Sequence, residues 1–179
     1  MKVGWMHQFL LQISGPDKPG ITAAVMQILA TKSIEVCDLG QSVVRGQLSL
    51  SVIIQSSKTP DFNDLNQFCV KRWLRFSQQK LDPTIKKTVA PQWILTLVGA
   101  LGTAGSLARI TKILSIKQVN IWGIRTLHRQ KLVGLELKIV IPPSLDVTDL
   151  KQDLLRTSRE LGIDMALQKD DFDRLNRRL

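Results

Sequence analysis

The sequence predicts an α+β protein in which one structural module occurs twice, and three features of its 179 residues support this. An apolar run of strand length, Phe9 to Ile13, meets a turn rich in glycine and proline at residues 15–20. The spacing of a core-facing amphipathic helix begins directly after that turn. The same succession returns at residues 93–114, and each copy continues into strands with alternating apolar residues.

The first copy reads as six elements in the order βαββαβ. They are a strand at 9–13, a helix from residue 21, strands at 34–44 and 47–55, a helix at 61–78 and a strand at 83–89. Arg45 and Gly46 form a turn signal between two strands, which indicates a hairpin. Pro60 precedes the second helix and is typical of a helix start.

The second copy repeats this order, and the two copies align without a gap after the loop. Its predicted elements are strands at 93–98, 119–128, 132–141 and 163–168 and helices at 104–117 and 146–161. Placing Gly20 on Gly105 aligns apolar positions with apolar positions, among them Val36 with Ile121 and Val52 with Leu137. The loop before the second helix pattern is one residue longer and has no acid. We interpret the pattern as an internal duplication.

The order βαββαβ predicts two ferredoxin-like modules, each an antiparallel four-stranded sheet with two helices on one face. The expected domains are residues 1–90 and 91–169, with 170–179 as a linker. Modules of this size bury only modest cores, so the two are expected to pack together. Edge strands of such sheets also invite pairing between copies, and a homodimer is expected.

Composition argues against several classes of function. The net charge of +10 is spread evenly over the chain, without a long basic stripe, which disfavours nucleic-acid binding. Cys37 and Cys69 are interpreted as buried thiols, and neither His7 nor His128 has a second metal-ligand type at suitable spacing. No metal or cofactor is expected in this chain. Without a signal peptide or a membrane-spanning run, a cytoplasmic location is expected.

A D-x-D pair at Asp171 and Asp173 resembles the nucleophile motif of aspartate-dependent phosphatases, but its context does not fit that chemistry. The motif needs a buried strand before it and a hydroxyl residue two positions later. Here Gln168 and Lys169 precede the pair, and Leu175 occupies the later position. The acids are interpreted as the cap of a short terminal helix. No catalytic site is therefore predicted in this chain.

The loop at residues 15–20 has the chemistry to hold a small zwitterion. The first turn of a helix carries backbone N–H groups without intrahelical acceptors, which attract a carboxylate. Asp17 lies beside that turn and supplies a negative charge for an ammonium group. An amino acid is an example of such a zwitterion.

Each module resembles an ACT domain, a small amino-acid-binding regulatory module, and the loop is similar to its D-x-P-G sequence. The chain is more similar still to the tandem ACT region of bacterial phosphoserine phosphatases. That likeness is carried by residues 38–44, 48–50, 134–137 and 174–179. In that family the arginine-rich tail leads into a haloacid-dehalogenase-type catalytic domain that requires Mg²⁺.

The resemblance implies a regulatory region that binds an amino acid, most plausibly L-serine, and acts on its own phosphatase domain. It implies a site between the loop of one module and the start of the second strand of its neighbour. Carried over by position, the site residues are Asp17, Gly20, Ile21, Asp38, Gly105 and Asn120. Glu35 stands where Asn120 stands in the other copy, so unequal sites are expected. The alternative is a stand-alone adaptor of the glycine-cleavage-system repressor type.

Overall fold

The structure is a computed structural model that describes four stretches of the chain, residues 7–82, 92–99, 104–129 and 132–170. The chain divides into two compact units, residues 1–86 and 87–179. Each unit has the order βαββαβ with a four-stranded antiparallel sheet, as predicted. None of the helices described is long and apolar enough to cross a membrane.

The elements of the first module are β1 His7–Pro16, α1 Ile21–Thr31, β2 Glu35–Val44, β3 Gln47–Ser56, α2 Asn63–Lys71 and β4 Arg75–Lys80. Its sheet has the order β2-β3-β1-β4, so β2 and β4 are its edge strands. Arg45 and Gly46 both have positive φ, 48° and 75°, in the two-residue turn that joins β2 to β3. Positive φ at both positions is what such a hairpin turn requires, and the predicted hairpin is confirmed.

The second module repeats this topology. Its elements are β5 Trp93–Gly99, α3 Ala104–Ile116, β6 Asn120–Arg129, β7 Leu132–Val140, α4 Val147–Leu161 and β8 Ile163–Lys169. All six elements lie within two residues of their predicted bounds. The sheet has the order β6-β7-β5-β8. Asp146 caps α4 by accepting a hydrogen bond from the Thr148 N–H at 2.7 Å, which explains why that helix start is visible in the sequence.

The predicted helix at 61–78 is wrong in its second half. The helix α2 ends at Lys71, and Arg75–Lys80 form the last strand, paired with β1. The residues Leu65, Phe68, Arg72 and Phe76 fit a helical spacing, but Phe76 faces the core from a strand. The predicted strand at 83–89 lies outside the described residues.

Backbone irregularities recur at matching positions and support the duplication. A register shift lies between Val36 and Asp38 on β2 and again between Ile121 and Gly123 on β6. These are equivalent positions when Gly20 is placed on Gly105. Cys37 lies in the first bulge on an edge strand, and it is exposed rather than buried as the sequence suggested. In a regular strand, side chains alternate between the two faces of the sheet, and a bulge disrupts this alternation locally.

Each module has its own apolar core between the sheet and its two helices. In the first, the apolar residues of β3 alternate inward and meet Ile21, Val25 and Leu29 of α1, all at most 2% exposed. In the second, Ile110 and Leu114 of α3 are fully buried against the sheet. The helix stripes predicted from the sequence therefore face the cores.

The buried thiol of Cys69 predicts an alkaline weakness in the first module. Burial raises the pKa of this thiol from 9.0 to about 11. Because the unfolded thiol ionises first, the neutral form stabilises the fold fully below pH 9, and that contribution is lost as the pH rises towards about 11. Urea unfolding at several pH values should show a steeper alkaline loss of stability in the natural chain than in Cys69→Ala. Equal pH slopes in the two proteins would contradict this.

Candidate functional site

The loop between β1 and α1 is held in place by the hairpin turn of its own module. The Asp17 N–H donates to the Gly46 carbonyl at 2.8 Å, while Asp17 itself is exposed. Gly20 has a φ of 87° and forms the N-cap of α1 without any side chain that caps the helix. A side chain at Gly20 would meet no atom within 4 Å, so space is open on the outer side of the loop.

The start of α1 therefore offers donors to an anion. The Gly20 carbonyl accepts the N–H of Ala24 at 3.0 Å, which is the first bond of the helix ladder. The N–H groups of the first turn of α1 receive no side-chain cap, and no acid lies in that first turn. Such a helix start favours a carboxylate or a phosphate.

Ile21 differs from Asp17 and Gly20, the other predicted site residues of this loop, because its side chain is only 2% exposed and belongs to the core. Any contact that Ile21 makes with a ligand must therefore come from its backbone. The structure brings Asp17, Gly20 and Ile21 together at one end of the first module.

A polar contact beside the loop was missed by the sequence reasoning. The Thr22 hydroxyl donates to the Gln41 side-chain oxygen at 2.6 Å, which joins the first turn of α1 to β2. Gln41 could have been noticed as a polar residue on the strand face that otherwise carries Leu39 and Val43. The equivalent residues in the second copy are Leu107 and Thr126, so this contact is not repeated.

Asp38 lies far from the loop of its own module. It pairs with Ile53, which lies opposite Leu10, whereas the loop follows Pro16. Along the strands, the level of Asp38 is six residues from the level of Pro16, which corresponds to roughly 20 Å. Its carboxylate accepts the Leu39 N–H at 2.8 Å at the bulge.

Asn120 and Gly105 are separated in the same way within the second module. Gly105 lies in the first turn of α3, where an added Cβ would meet no atom within 4 Å, whereas Asn120 follows the far end of that helix. Asn120 lines an open surface depression of about 440 Å³, together with the polar residues Thr111, Ser115 and Gln118 and with three apolar residues. Residues 100–103 of this loop lie outside the described residues.

Glu35 shows that the two modules differ at the start of their second strands. The Gln55 side-chain amide donates to the Glu35 carboxylate at 2.5 Å, so the acid already has a partner within its module. In the second copy the amide of Asn120 stands at the equivalent position beside the surface depression. The modules thus present different chemistry at this place.

Two of the features predicted near the carboxyl terminus lie outside the described residues. They are the acids at Asp171 and Asp173 and the arginine-rich tail at 174–179. Among the residues that are described, no three acids, histidines or cysteines gather in a group that could hold a metal ion.

Two regions of the chain match the same protein family. Residues 7–87 match the ACT domain, and residues 93–168 match a second form of it. A phosphoserine phosphatase of Mycobacterium tuberculosis is 26% identical over 166 residues, which cover 89% of this chain and 40% of that protein. A phosphoserine phosphatase of Streptomyces coelicolor is also 26% identical, over 95% of this chain and 42% of its own length. The chain thus spans about two fifths of these relatives.

Solved structures support the fold of the two modules. A protein of unknown function from Galdieria sulphuraria superposes with a TM-score of 0.72 at 18% identity, over 92% of this chain and 99% of that one. A candidate glycine cleavage system transcriptional repressor superposes with a TM-score of 0.67 at 13% identity, over 92% and 97% of the two chains. With the two domain matches and the two βαββαβ modules, these findings show that the chain belongs to the ACT-domain family and carries two ACT domains in tandem.

Proposed function

We propose that this chain is an amino-acid-sensing regulatory region and that its ligand is L-serine. The observation that carries the proposal is the uncapped start of α1 beside the exposed carboxylate of Asp17, within an ACT domain. ACT domains typically bind small amino acids. The distant similarity to two phosphoserine phosphatases, whose names imply serine as product, favours serine among them.

The loop would recognise the two charged ends of serine separately. The serine carboxylate would accept hydrogen bonds from the N–H groups of the first turn of α1. Its ammonium group would lie against the Asp17 carboxylate, and Gln41 is near enough to the helix start to contact the hydroxyl group. Asn120 in the second module offers both a donor and an acceptor, because its side chain is an amide.

Regulation requires that serine binds one state of the protein better than another. We propose that the state favoured by serine changes the activity of a phosphatase domain in the same polypeptide, which would use Mg²⁺ to hydrolyse L-phosphoserine. Homodimers of the chain would be the regulated unit. The gene sequence beyond codon 179 tests this part, because an apolar strand followed by D-x-D-x-T would encode that domain.

A stand-alone adaptor is the second candidate. It is favoured by the superposition on a candidate glycine cleavage system transcriptional repressor, which covers 92% of this chain and 97% of that one. An adaptor would sense an amino acid in the same loop but act through a separate protein. A stop codon directly after residue 179 would support this candidate over the phosphatase.

A thermal-shift experiment tests the ligand. A ligand that binds only the folded state stabilises it by about 2.7 kcal/mol at a concentration of about 100 times Kd. L-serine should therefore raise the melting temperature by roughly 5 °C or more, and glycine and D-serine should do so less. Asp17→Asn should abolish the shift, whereas Asp164→Asn, at an exposed acid on β8, should preserve it. If L-serine raised the melting temperature of Asp17→Asn as much as that of Asp164→Asn and of the natural chain, Asp17 would be excluded from the site.

A further inference from the structure

Trp73, directly after α2, combines two features that do not favour stability. Its side chain is 84% exposed, the largest exposure among the described large apolar residues. Its φ is 61°, in the left-handed region that bulky residues seldom adopt. In the second module the last helix, α4, is followed by the C-cap Gly162, which has the same left-handed conformation with a φ of 63°. The first module therefore carries an exposed tryptophan where glycine would fit better.

The backbone at Trp73 is held in this conformation from both sides. The Leu74 N–H donates to the Cys69 carbonyl at 2.9 Å, and the Trp73 N–H donates to the Val70 carbonyl at 3.2 Å. Gly15 packs against the Trp73 carbonyl so closely that a Cβ would lie 3.0 Å from that oxygen. The backbone of Trp73 is thus held in place, so a partner that binds its side chain does not have to order the backbone as well.

The residues around Trp73 are basic and apolar. Val70 is 67% exposed, and Lys71, Arg72 and Trp73 follow it in sequence, all of them exposed. The Arg72 guanidinium lies 5.1 Å from the centre of the Phe68 ring, which fixes its position. Within the described part of the chain neither Lys71 nor Arg72 forms an ion pair. We call residues 70–73 the tryptophan patch.

We propose that the tryptophan patch docks an acidic protein segment that carries an apolar side chain. Tryptophan and arginine are the residue types that most often dominate binding at protein interfaces. The positive charges of Lys71 and Arg72, which form no ion pair among the described residues, complement an acidic segment. The proposal does not depend on serine binding.

Membranes and nucleic acids fit the tryptophan patch less well. A helix that lies in a membrane interface turns its apolar face to the lipid, but the apolar face of α2, with Leu65 and Cys69, is buried in the core. Single-stranded nucleic acids are bound by several stacked aromatic rings along a basic groove, whereas this surface offers one exposed ring. An acidic peptide with one anchoring side chain matches its size and charge.

Fluorescence anisotropy with a labelled peptide tests this proposal on the full chain. The probe is a short peptide in which a leucine pair is flanked by glutamates, and its counterpart replaces each glutamate by lysine. The acidic peptide should bind in a salt-dependent way, and Trp73→Gly should weaken binding by about tenfold or more. The double variant Lys71→Ala/Arg72→Ala should weaken binding and reduce its salt dependence. Trp122→Ala, at the 55% exposed tryptophan of the second module, should bind as the natural chain does.

Trp73→Gly separates binding from folding. Because glycine adopts a positive φ without strain, this variant should keep its circular dichroism and should not melt at a lower temperature. The proposal is overturned if the acidic peptide does not bind, if the lysine peptide binds equally, or if Trp122→Ala loses as much affinity as Trp73→Gly. Tighter binding to phosphatidylglycerol vesicles or to a single-stranded oligonucleotide would overturn it as well.

Discussion

Gly15→Ala should lower the free energy of unfolding of the first module by on the order of 3 kcal/mol. Gly15 has a φ of 147°, a conformation that residues with a Cβ rarely adopt. A Cβ at this position would lie 3.0 Å from the Trp73 carbonyl oxygen and 3.2 Å from the Leu74 Cα. Both atoms belong to backbone that is held by hydrogen bonds from the Trp73 and Leu74 N–H groups to carbonyls of α2. This backbone leads directly into the pair of Ser14 with Arg75, so neither atom can move away easily.

Gly40→Ala is the matched control for this prediction. Gly40 lies on the edge strand β2 of the same module, and a Cβ there would meet no atom within 4 Å. Its substitution should therefore change stability by less than about 0.5 kcal/mol. Urea unfolding followed by circular dichroism gives both values. Equal stabilities of Gly15→Ala and Gly40→Ala would show that the close approach at Gly15 does not constrain the fold.

Leu114→Ala should destabilise the second module by about 2–5 kcal/mol. Leu114 is fully buried on α3 and contacts the apolar side of the sheet. Truncation removes apolar contacts and leaves a cavity that the surrounding strands can fill only in part. The loss is expected even though alanine has the higher helix propensity.

Ile116→Ala controls for the effect of substitution on α3 itself. Ile116 lies two residues from Leu114 but is 68% exposed. Its truncation should leave stability within about 0.5 kcal/mol of the natural chain. Hydrogen exchange of the β5 and β7 amides would show the difference locally. If both variants lost the same protection, the burial of Leu114 would not be what stabilises this module.

The second module could be predicted well because its local signals agree with its fold. Asp146 caps α4, and Gly162 ends it with a φ of 63°. In the first module the end of α2 carries no such signal, because the residue with positive φ is Trp73 rather than glycine. Tertiary contacts with Gly15 hold that turn, and they are not visible in a pattern of neighbouring residues. The predicted helix therefore extends seven residues beyond the end of α2 at Lys71.

The candidate site could be predicted only in part for a similar reason. The loop with Asp17 and Gly20 is a local feature, and its sequence indicates both the turn and the uncapped helix start. The contact between Thr22 and Gln41 joins residues that are 19 positions apart, so it depends on how β2 lies beside α1. The separation of Asp38 from the loop follows from strand register, which a bulge next to Asp38 shifts. Whether Asp38, Gly105 and Asn120 contact a ligand stays a prediction.

Isothermal titration calorimetry of the chain with L-serine tests the central claim, that this tandem ACT protein binds an amino acid at the loop before α1. We expect a saturable heat for the natural chain and for Asp164→Asn, and its loss in Asp17→Asn. Absence of heat at millimolar L-serine, together with an unchanged melting temperature, would contradict the claim, because a ligand specific to the folded state must stabilise it.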